Sequence, residues 1–157
     1  MALMDIREAR HGDEEGIWKA HTRAITQISA KDYPADVINE LVSRQPVDNI
    51  EQIDGHQQFV AEIDDTIVGF GALRLNDGEV VVLIVDPDFI RQGIGTQLLA
   101  QLEKAAVSAG LQRLVVGSSI YGRPFYQTCG YAGDAMRTVK GRRTGVEFDE
   151  YLMEKAL

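Results

Sequence analysis

Cysteine, long apolar runs and excess positive charge are what this sequence lacks. Its 157 residues include one cysteine, Cys129, so no disulfide can form within the chain, which is typical of a reducing compartment. No apolar run approaches the roughly 18 residues of a membrane-spanning helix, and acidic residues occupy the N-terminal region where a signal peptide would have its apolar core. We therefore expect a cytoplasmic protein with no membrane partner.

Basic residues are outnumbered by acidic ones. The chain has 16 Lys and Arg against 24 Asp and Glu, a formal net charge of −8. This balance argues against nucleic acid as a partner and would attract a cationic one, although solubility alone explains an acidic surface. The length and ordinary composition predict a single domain over residues 1–157, with a core that needs no disulfide or metal.

Histidine is scarce and scattered. His11, His21 and His56 have no metal-ligand spacing with another histidine, cysteine or acidic residue, so we expect no metal site. No histidine or aspartate pattern marks Cys129 as a nucleophile, and a buried thiol is the simpler interpretation.

Hydrophobic periodicity predicts a strand and two helices in the first third of the chain. The strand covers residues 5–9, and Asp13 is placed to cap a helix over residues 14–30. A second helix begins at Pro34 and ends near Pro46.

Three antiparallel strands are predicted between Phe59 and Val85. Asp64-Asp65 and Asn76-Asp77-Gly78 supply the two turns. The third strand, residues 79–85, is almost entirely branched aliphatic, which predicts a central strand covered on both faces.

The remaining chain predicts a strand–helix–strand unit and a closing hairpin. A helix over residues 93–109 leads to a strand over 114–117, which should run parallel to strand 79–85. A short helix over 123–129 and a final hairpin over 132–153 follow. The whole is a mixed α+β sheet, antiparallel early and locally parallel in the middle.

A glycine-rich turn, Gly93-Ile94-Gly95, separates the buried strand from the long helix. A helix N-terminus presents unpaired N–H groups and partial positive charge, which make it an anion site. Arg91, Gln92 and Thr96 add side-chain donors. A tight turn without a ligand is the alternative.

Two better-known phosphate motifs are excluded. A Walker A loop needs Gly-Lys-Ser/Thr, which the chain does not contain. A dinucleotide fingerprint needs a third glycine where this chain has Leu98.

Two blocks in the second half resemble a known family. Leu83-x-Val85-x-Pro87 followed by Gln92-Gly93-Ile94-Gly95-Thr96-x-Leu98-Leu99 resembles the acyl-coenzyme A signature of the GNAT superfamily of N-acetyltransferases. Pro124-Phe125-Tyr126-x-x-x-Gly130-Tyr131 is similar to a second segment of that family, in the matching order. The resemblance covers nearly the whole chain. It implies the GNAT fold, with a mostly antiparallel mixed sheet, a splayed parallel strand pair and about four helices.

The resemblance also implies a binding site for acetyl-coenzyme A as co-substrate. The turn would bind the pyrophosphate, the strand edge would pair with the pantetheine arm, and Tyr126 would lie beside the sulfur. The implied binding residues are Leu83, Ile84, Val85, Arg91, Gln92, Gly93, Ile94, Gly95, Thr96, Ser119 and Tyr126. Two positions depart from the family pattern: Ile90 stands where Gln or Arg is usual, and Ser119 stands where Asn is frequent.

Two catalytic residues are expected from the same resemblance. Tyr126 would donate a proton to the leaving thiolate, although a core aromatic is the alternative. Glu79, at a spacing that some members use, would act as base, although others have no dedicated base. A backbone N–H near Val85 would polarise the carbonyl.

The expected activity is direct acetyl transfer, in a ternary complex, to a primary amine of a small molecule, peptide or protein. The acceptor side would draw on the first two helices and the last hairpin, with the candidates Trp18, His21, Tyr33, Asp36, Tyr121 and Glu147. A non-catalytic acyl-coenzyme A binding or sensing domain and a purely structural domain are the alternatives. A homodimer stays open, since such dimers are common in the superfamily.

Overall fold

Seven strands form one sheet in the computed structural model of the protein, which describes residues 3–43 and 54–157. In chain order they are β1 (Met4–Glu8), β2 (His56–Ile63), β3 (Thr66–Arg74), β4 (Glu79–Val85), β5 (Arg113–Ser118), β6 (Ala132–Lys140) and β7 (Glu147–Ala156). Across the sheet the order is β1-β2-β3-β4-β5-β7-β6, and only β4 and β5 pair in parallel. The predicted mixed α+β architecture is therefore confirmed.

Four α-helices accompany the sheet in the described ranges: α1 (Glu14–Gln27), α2 (Ala35–Ser43), α3 (Ile94–Ser108) and α4 (Arg123–Thr128). Alternate residues of β2 show how helices cover both faces. Phe59 and Ala61 belong to the core that α3 completes, whereas Val60 packs with Ile17 of α1. The predicted helices agree to within three residues at each described end, and Pro46 lies outside the described residues.

The predicted capping role of Asp13 is wrong. Its side chain makes no capping hydrogen bond with α1. The carboxylate instead accepts two hydrogen bonds from the Arg7 guanidinium, at 2.8 and 2.9 Å, and one from the Arg10 N–H at 2.8 Å. A bidentate, charge-assisted guanidinium pair outcompetes a single cap bond. Asp13 thus ties β1 to the start of α1.

β4 is less buried than predicted. Val80 is buried, but Val81 is 36% exposed and the residues from Val82 to Val85 are only partly covered. Both faces of β4 are packed as predicted, because Leu83 and Val85 contact the cluster that α3 completes while Val82 and Ile84 contact the cluster of Ile17. The cover is partial because a cavity opens beside this strand, and the branched aliphatic residues line that cavity as well as the core.

The parallel pair of strands separates after two residues. Glu79 pairs with Val115 and Val80 with Val116, and no further pairs join β4 to β5. β5 pairs along its whole length with β7 on its other side, while β4 keeps β3 up to Val85. The edge of β4 that faces β5 is therefore open beyond Val80, which confirms the predicted splay.

Candidate active site

A cavity of about 790 Å³ occupies the gap between the separated strands. β4 and the start of α3 form one side, the end of β5 and α4 form another, and α1, α2 and β7 close the rest. Two lining residues, among those the structure describes, carry a formal charge: Arg91 and Glu150. The cavity therefore has one cationic and one anionic position.

The turn before α3 presents unpaired backbone donors at the cationic position. Arg91 and Gly93 have positive φ angles of 63° and 82°, and the first helical hydrogen bond joins the Gln97 N–H to the Gly93 carbonyl at 3.0 Å. No amide from residue 91 to 96 donates a hydrogen bond to another described residue. A left-handed non-glycine residue such as Arg91 is uncommon and clusters at ligand sites. Successive free N–H groups at a helix N-terminus fit a phosphate group.

Ion pairs anchor this turn to α1. A short 3₁₀ turn, Pro87–Phe89, follows β4, and the Asp86 carboxylate accepts a hydrogen bond from the Asp88 N–H at 2.9 Å. Arg23 of α1 contacts Asp86 at 3.0 Å and Asp88 at 2.8 Å. These contacts fix the segment that leads from β4 into residues 91–96.

Tyr126 lies on α4 with its ring enclosed and its side chain on the cavity wall. Its ring makes edge-on contacts with Phe125 at 5.1 Å and Tyr131 at 5.6 Å between centroids. Burial raises the pKa of Tyr126 above its usual range, and the nearby Cys129 and Glu150 raise it further. Its hydroxyl has no hydrogen-bond partner among the described residues. The phenol is therefore a protonated donor without a protein acceptor.

Two other predicted residues have local partners. Ser119 lines the cavity, but its Oγ accepts a hydrogen bond from the Gly122 N–H at 2.9 Å and thus shapes the turn into α4. Cys129 is half-buried beside Thr96, and burial raises the pKa of its thiol although a hydrogen bond with Thr96 opposes the rise. A raised pKa is the opposite of what an activated cysteine nucleophile needs.

Glu150 of β7 is the acidic residue of the cavity, and the sequence motifs did not indicate it. Its Oε1 accepts a hydrogen bond from Arg137 Nε at 2.9 Å, and Arg137 Nη2 bonds the same oxygen. Oε2 accepts none from the described residues. The bare backbone of Gly117 makes room for the pair, because a Cβ there would overlap both side chains. Alternation along the predicted strand, which groups Glu150 with Phe148, is the signal that could have indicated it.

Glu79, the predicted base, lies behind this pair. Arg74 bonds one of its carboxylate oxygens at 2.7 Å, and Arg137 bonds the other at 2.7 Å. Glu79 is absent from the described lining of the cavity. Arg137 therefore links Glu79 to Glu150.

The acceptor-side candidates divide into two groups. Tyr33 and Tyr121 line the cavity. The described lining does not include Trp18, His21, Asp36 or Glu147. Phe148 joins the wall in their place, with its ring edge-on to Tyr33 at 6.0 Å.

Residues 3–43 and 54–157 contain no group of three or more His, Cys, Asp or Glu side chains placed to hold a metal ion. Within the same ranges, no helix is long and apolar enough to cross a membrane.

Comparison with known proteins agrees with this geometry. A family model described as Acetyltransferase (GNAT) domain matches residues 14–155. The chain is 27% identical over 156 residues to an uncharacterized N-acetyltransferase, YafP, from Escherichia coli K12, covering 98% of this chain and 96% of the relative.

Solved structures share the whole fold. A GCN5-related N-acetyltransferase from Rhodopseudomonas palustris superposes with a TM-score of 0.88 at 25% identity, covering 100% of this chain and 98% of the other. The PaiA N-acetyltransferase from Thermoplasma acidophilum, solved in complex with coenzyme A, has a TM-score of 0.74 at 21% identity and 99% coverage of both chains. With a family model that spans nearly the whole chain, this protein belongs to the GNAT family of acetyltransferases.

Proposed function

We propose that the protein transfers an acetyl group from acetyl-coenzyme A to a primary amine, directly, within a ternary complex. One observation carries the proposal: a single cavity has free backbone N–H donors and Arg91 at one position and the Glu150 carboxylate at another. Tyr126 lines the same cavity, and the nearby Glu150 and Cys129 help to raise its pKa. The cavity can thus bind an anionic co-substrate and a cationic acceptor at the same time.

The turn and the strand edge are the proposed binding site of acetyl-coenzyme A. The amides of residues 91–96 and the Arg91 guanidinium bind its pyrophosphate, and the free edge of β4 at Leu83, Ile84 and Val85 accepts the pantetheine arm as a strand would. The structure of PaiA with coenzyme A supports this choice of ligand. Because main-chain donors make most of the site, Ile90 in place of Gln or Arg leaves it intact.

When bound, acetyl-coenzyme A supplies the activated acetyl group. Tyr126, a phenol that is protonated at neutral pH, donates its hydroxyl proton to the sulfur as the carbon–sulfur bond breaks. A backbone N–H near Val85 polarises the carbonyl. These assignments give Tyr126 the role of general acid.

Glu150 binds the acceptor ammonium through Oε2, the oxygen that Arg137 leaves free. The ammonium first loses one proton to solvent, and the neutral amine then attacks the carbonyl carbon. The second proton, which nitrogen loses as the amide forms, returns to Tyr126 and replaces the one given to the sulfur. The base role of Glu79 stays a prediction, and its two arginine partners favour a positioning role instead, in which Glu79 orients Arg137 and Arg137 orients Glu150.

We further propose that residues 1–157 form a single domain located in the cytoplasm. One sheet that includes both β1 and β7 supports the first statement, and the lone cysteine supports the second.

Calorimetric titration with acetyl-coenzyme A tests the binding site. We expect micromolar binding by the parent and none by Gly93→Glu, because a carboxylate there repels the pyrophosphate. Gly110→Glu is the matched control: Gly110 lies at the other end of α3, has φ +83° against +82° for Gly93, and has open space around it. Equal loss of binding in both variants would trace the effect to backbone strain and remove the support for this site.

Steady-state turnover of Tyr126→Phe tests the chemistry. Loss of the proton donor should lower kcat on the order of 10²-fold or more, with acetyl-coenzyme A affinity nearly unchanged. An unaltered kcat would contradict the general-acid role and favour a binding or sensing domain of the same fold.

A further inference from the structure

We propose that the acceptor is a small primary amine that carries a bulky apolar group, and that the part of the cavity around Glu150 selects it. We name this part the acceptor chamber. The inference rests on the proposed transfer to an amine and adds the substrate class. The apolar residues that line the chamber, the small number of polar groups among them and the Glu150 carboxylate support the inference.

The chamber walls are largely apolar and come from α1, α2, β7 and the segments next to them. They are Ile25 of α1, Ile28 just after α1, Tyr33 before α2, Leu41 of α2, Ile120 after β5, and Phe148 of β7. The edge-on contact of Tyr33 with Phe148 joins the α1–α2 connection to the last hairpin. Such walls gain free energy by removing apolar surface of a ligand from water.

Polar partners for a ligand are few at the described wall. The Ser118 hydroxyl donates to the Ser119 carbonyl at 2.8 Å, and Ser119 Oγ already accepts the Gly122 N–H. Ser29, Tyr33 and Tyr121 supply further hydroxyls of the described lining. These few hydroxyls cannot replace all the hydrogen bonds to water that a strongly polar acceptor would lose.

The charged residues of the cavity narrow the class of acceptor further. Glu150 is the charged residue of the chamber within the described lining, and its side chain keeps 17% exposure. The other charged lining residue, Arg91, belongs to the anion-binding turn. An acidic acceptor would face repulsion, whereas an ammonium can bind Oε2. A cavity wall with one carboxylate among apolar side chains therefore fits an acceptor that has one ammonium group and is otherwise apolar.

The direct test is binding of straight-chain n-alkylamines, from propylamine to octylamine, measured by ligand-observed NMR or calorimetry. These amines share one basicity, so only buried apolar surface varies. We expect affinity to rise about threefold to fourfold per added methylene until the chamber is filled. Alcohols of equal length should bind more weakly, and Glu150→Gln should abolish this difference between amine and alcohol.

Three variants separate the chamber from a general effect on folding. Phe148→Ser and Ile28→Ser lie on two different chamber walls, and each should flatten the dependence on chain length. Val107→Ser is the control, because Val107 is 58% exposed and lies outside the chamber. Val107→Ser should show the same dependence of affinity on chain length as the parent. Circular dichroism identifies any wall variant that fails to fold, and the test then rests on the wall variant that does fold.

Binding of polar amines is the measurement that could contradict the inference. Ethanolamine and a lysine with blocked backbone present the same amine on a polar body. Tighter binding of either than of hexylamine, or affinity that does not change with chain length, would overturn the inference.

An acetylation assay with acetyl-coenzyme A keeps the two proposals apart. Transfer to the blocked lysine or ethanolamine in preference to hexylamine would preserve the proposed function and contradict the chamber. Length-dependent alkylamine binding without any acetyl transfer would preserve the chamber as a binding site and contradict the proposed function.

Discussion

Tyr126 and Tyr131 owe their ionisation behaviour to enclosure rather than to a charged partner. Tyr126 is 7% exposed and Tyr131 is 2% exposed. Burial is the main cause that raises the pKa of each phenol, and Glu103 raises that of Tyr131 further. The neutral phenol is thus favoured in the folded chain, and this preference is linked to stability.

Alkaline unfolding should reveal this linkage. Because the folded pKa of each phenol lies above its unfolded value of about 10, the stabilisation is complete below about pH 10 and is lost as pH rises toward the folded pKa. We expect the free energy of unfolding to fall by about 1.4 kcal/mol per pH unit for each phenol above about pH 10. Urea unfolding at several pH values measures this slope.

Tyr131→Phe should have a shallower slope than the parent, whatever its stability at neutral pH. Equal slopes for the two proteins would show that this phenol ionises alike in the folded and unfolded chains.

Gly117 is a second position where one residue decides the geometry of the site. Gly117→Ala would place a methyl group where the Arg137–Glu150 pair lies. We expect the displaced carboxylate to raise KM for the amine on the order of tenfold, about 1.4 kcal/mol of acceptor binding. Affinity for acetyl-coenzyme A should stay constant and serves as the internal control. A parallel loss of both affinities would point to general damage of β5.

Among the strands and helices, the divergence of β4 from β5 determines where ligands can bind. β5 pairs with β7 along its whole length, from the pair Arg113 and Ala156 to the pair Ser118 and Tyr151. The edge of β4 that faces β5 is unpaired beyond Val80. Open backbone groups on a strand edge are a template for an added extended chain. The open edge of β4 is therefore available to an extended chain, while its apolar residues also pack against the core.

Hydrogen exchange should detect ligand pairing at this edge. Adding acetyl-coenzyme A should slow amide exchange in peptides that cover β4 and residues 91–96, because their N–H groups gain acceptors. Peptides from β1 and β2, which are already paired on the other side of β3, should exchange as before. Mass spectrometry of the free and bound protein checks this, and protection confined to β6 and β7 would contradict the proposed site.

Over the whole molecule, the net charge of −8 would act on the proposed cationic acceptor before it reaches the cavity. A cationic amine is attracted by the summed field, and salt screens that attraction. We expect kcat/KM for an alkylammonium acceptor to fall several-fold between about 20 mM and about 0.5 M salt. Aniline, which is neutral near pH 8, is the matched control and should respond less. A salt response equal for the two amines would exclude electrostatic attraction of the acceptor.

Prediction from the sequence succeeded where the governing chemistry is local. The strand over Glu79–Val85, the positive φ of Gly78 and a helix that begins within one residue of Gly93 follow from apolar runs and turn residues. Prediction failed for Asp13, whose choice between a helix cap and Arg7 depends on the packing of β1. It overestimated the burial of β4, because a run of aliphatic residues has the same pattern beside a core and beside a cavity.

By itself, the sequence determined the order of the elements, the positions of the turns and the glycine-rich turn before α3, since each depends on residues close in the chain. Only the tertiary structure decided which acidic residue faces the cavity. Arg137 joins Glu79, 58 residues away, to Glu150 across the neighbouring strand, and it leaves Glu150 on the wall. The physical reason is that alternation assigns Glu150 to one face of its strand, whereas strand pairing and ion pairs between distant segments decide that this face lines the cavity.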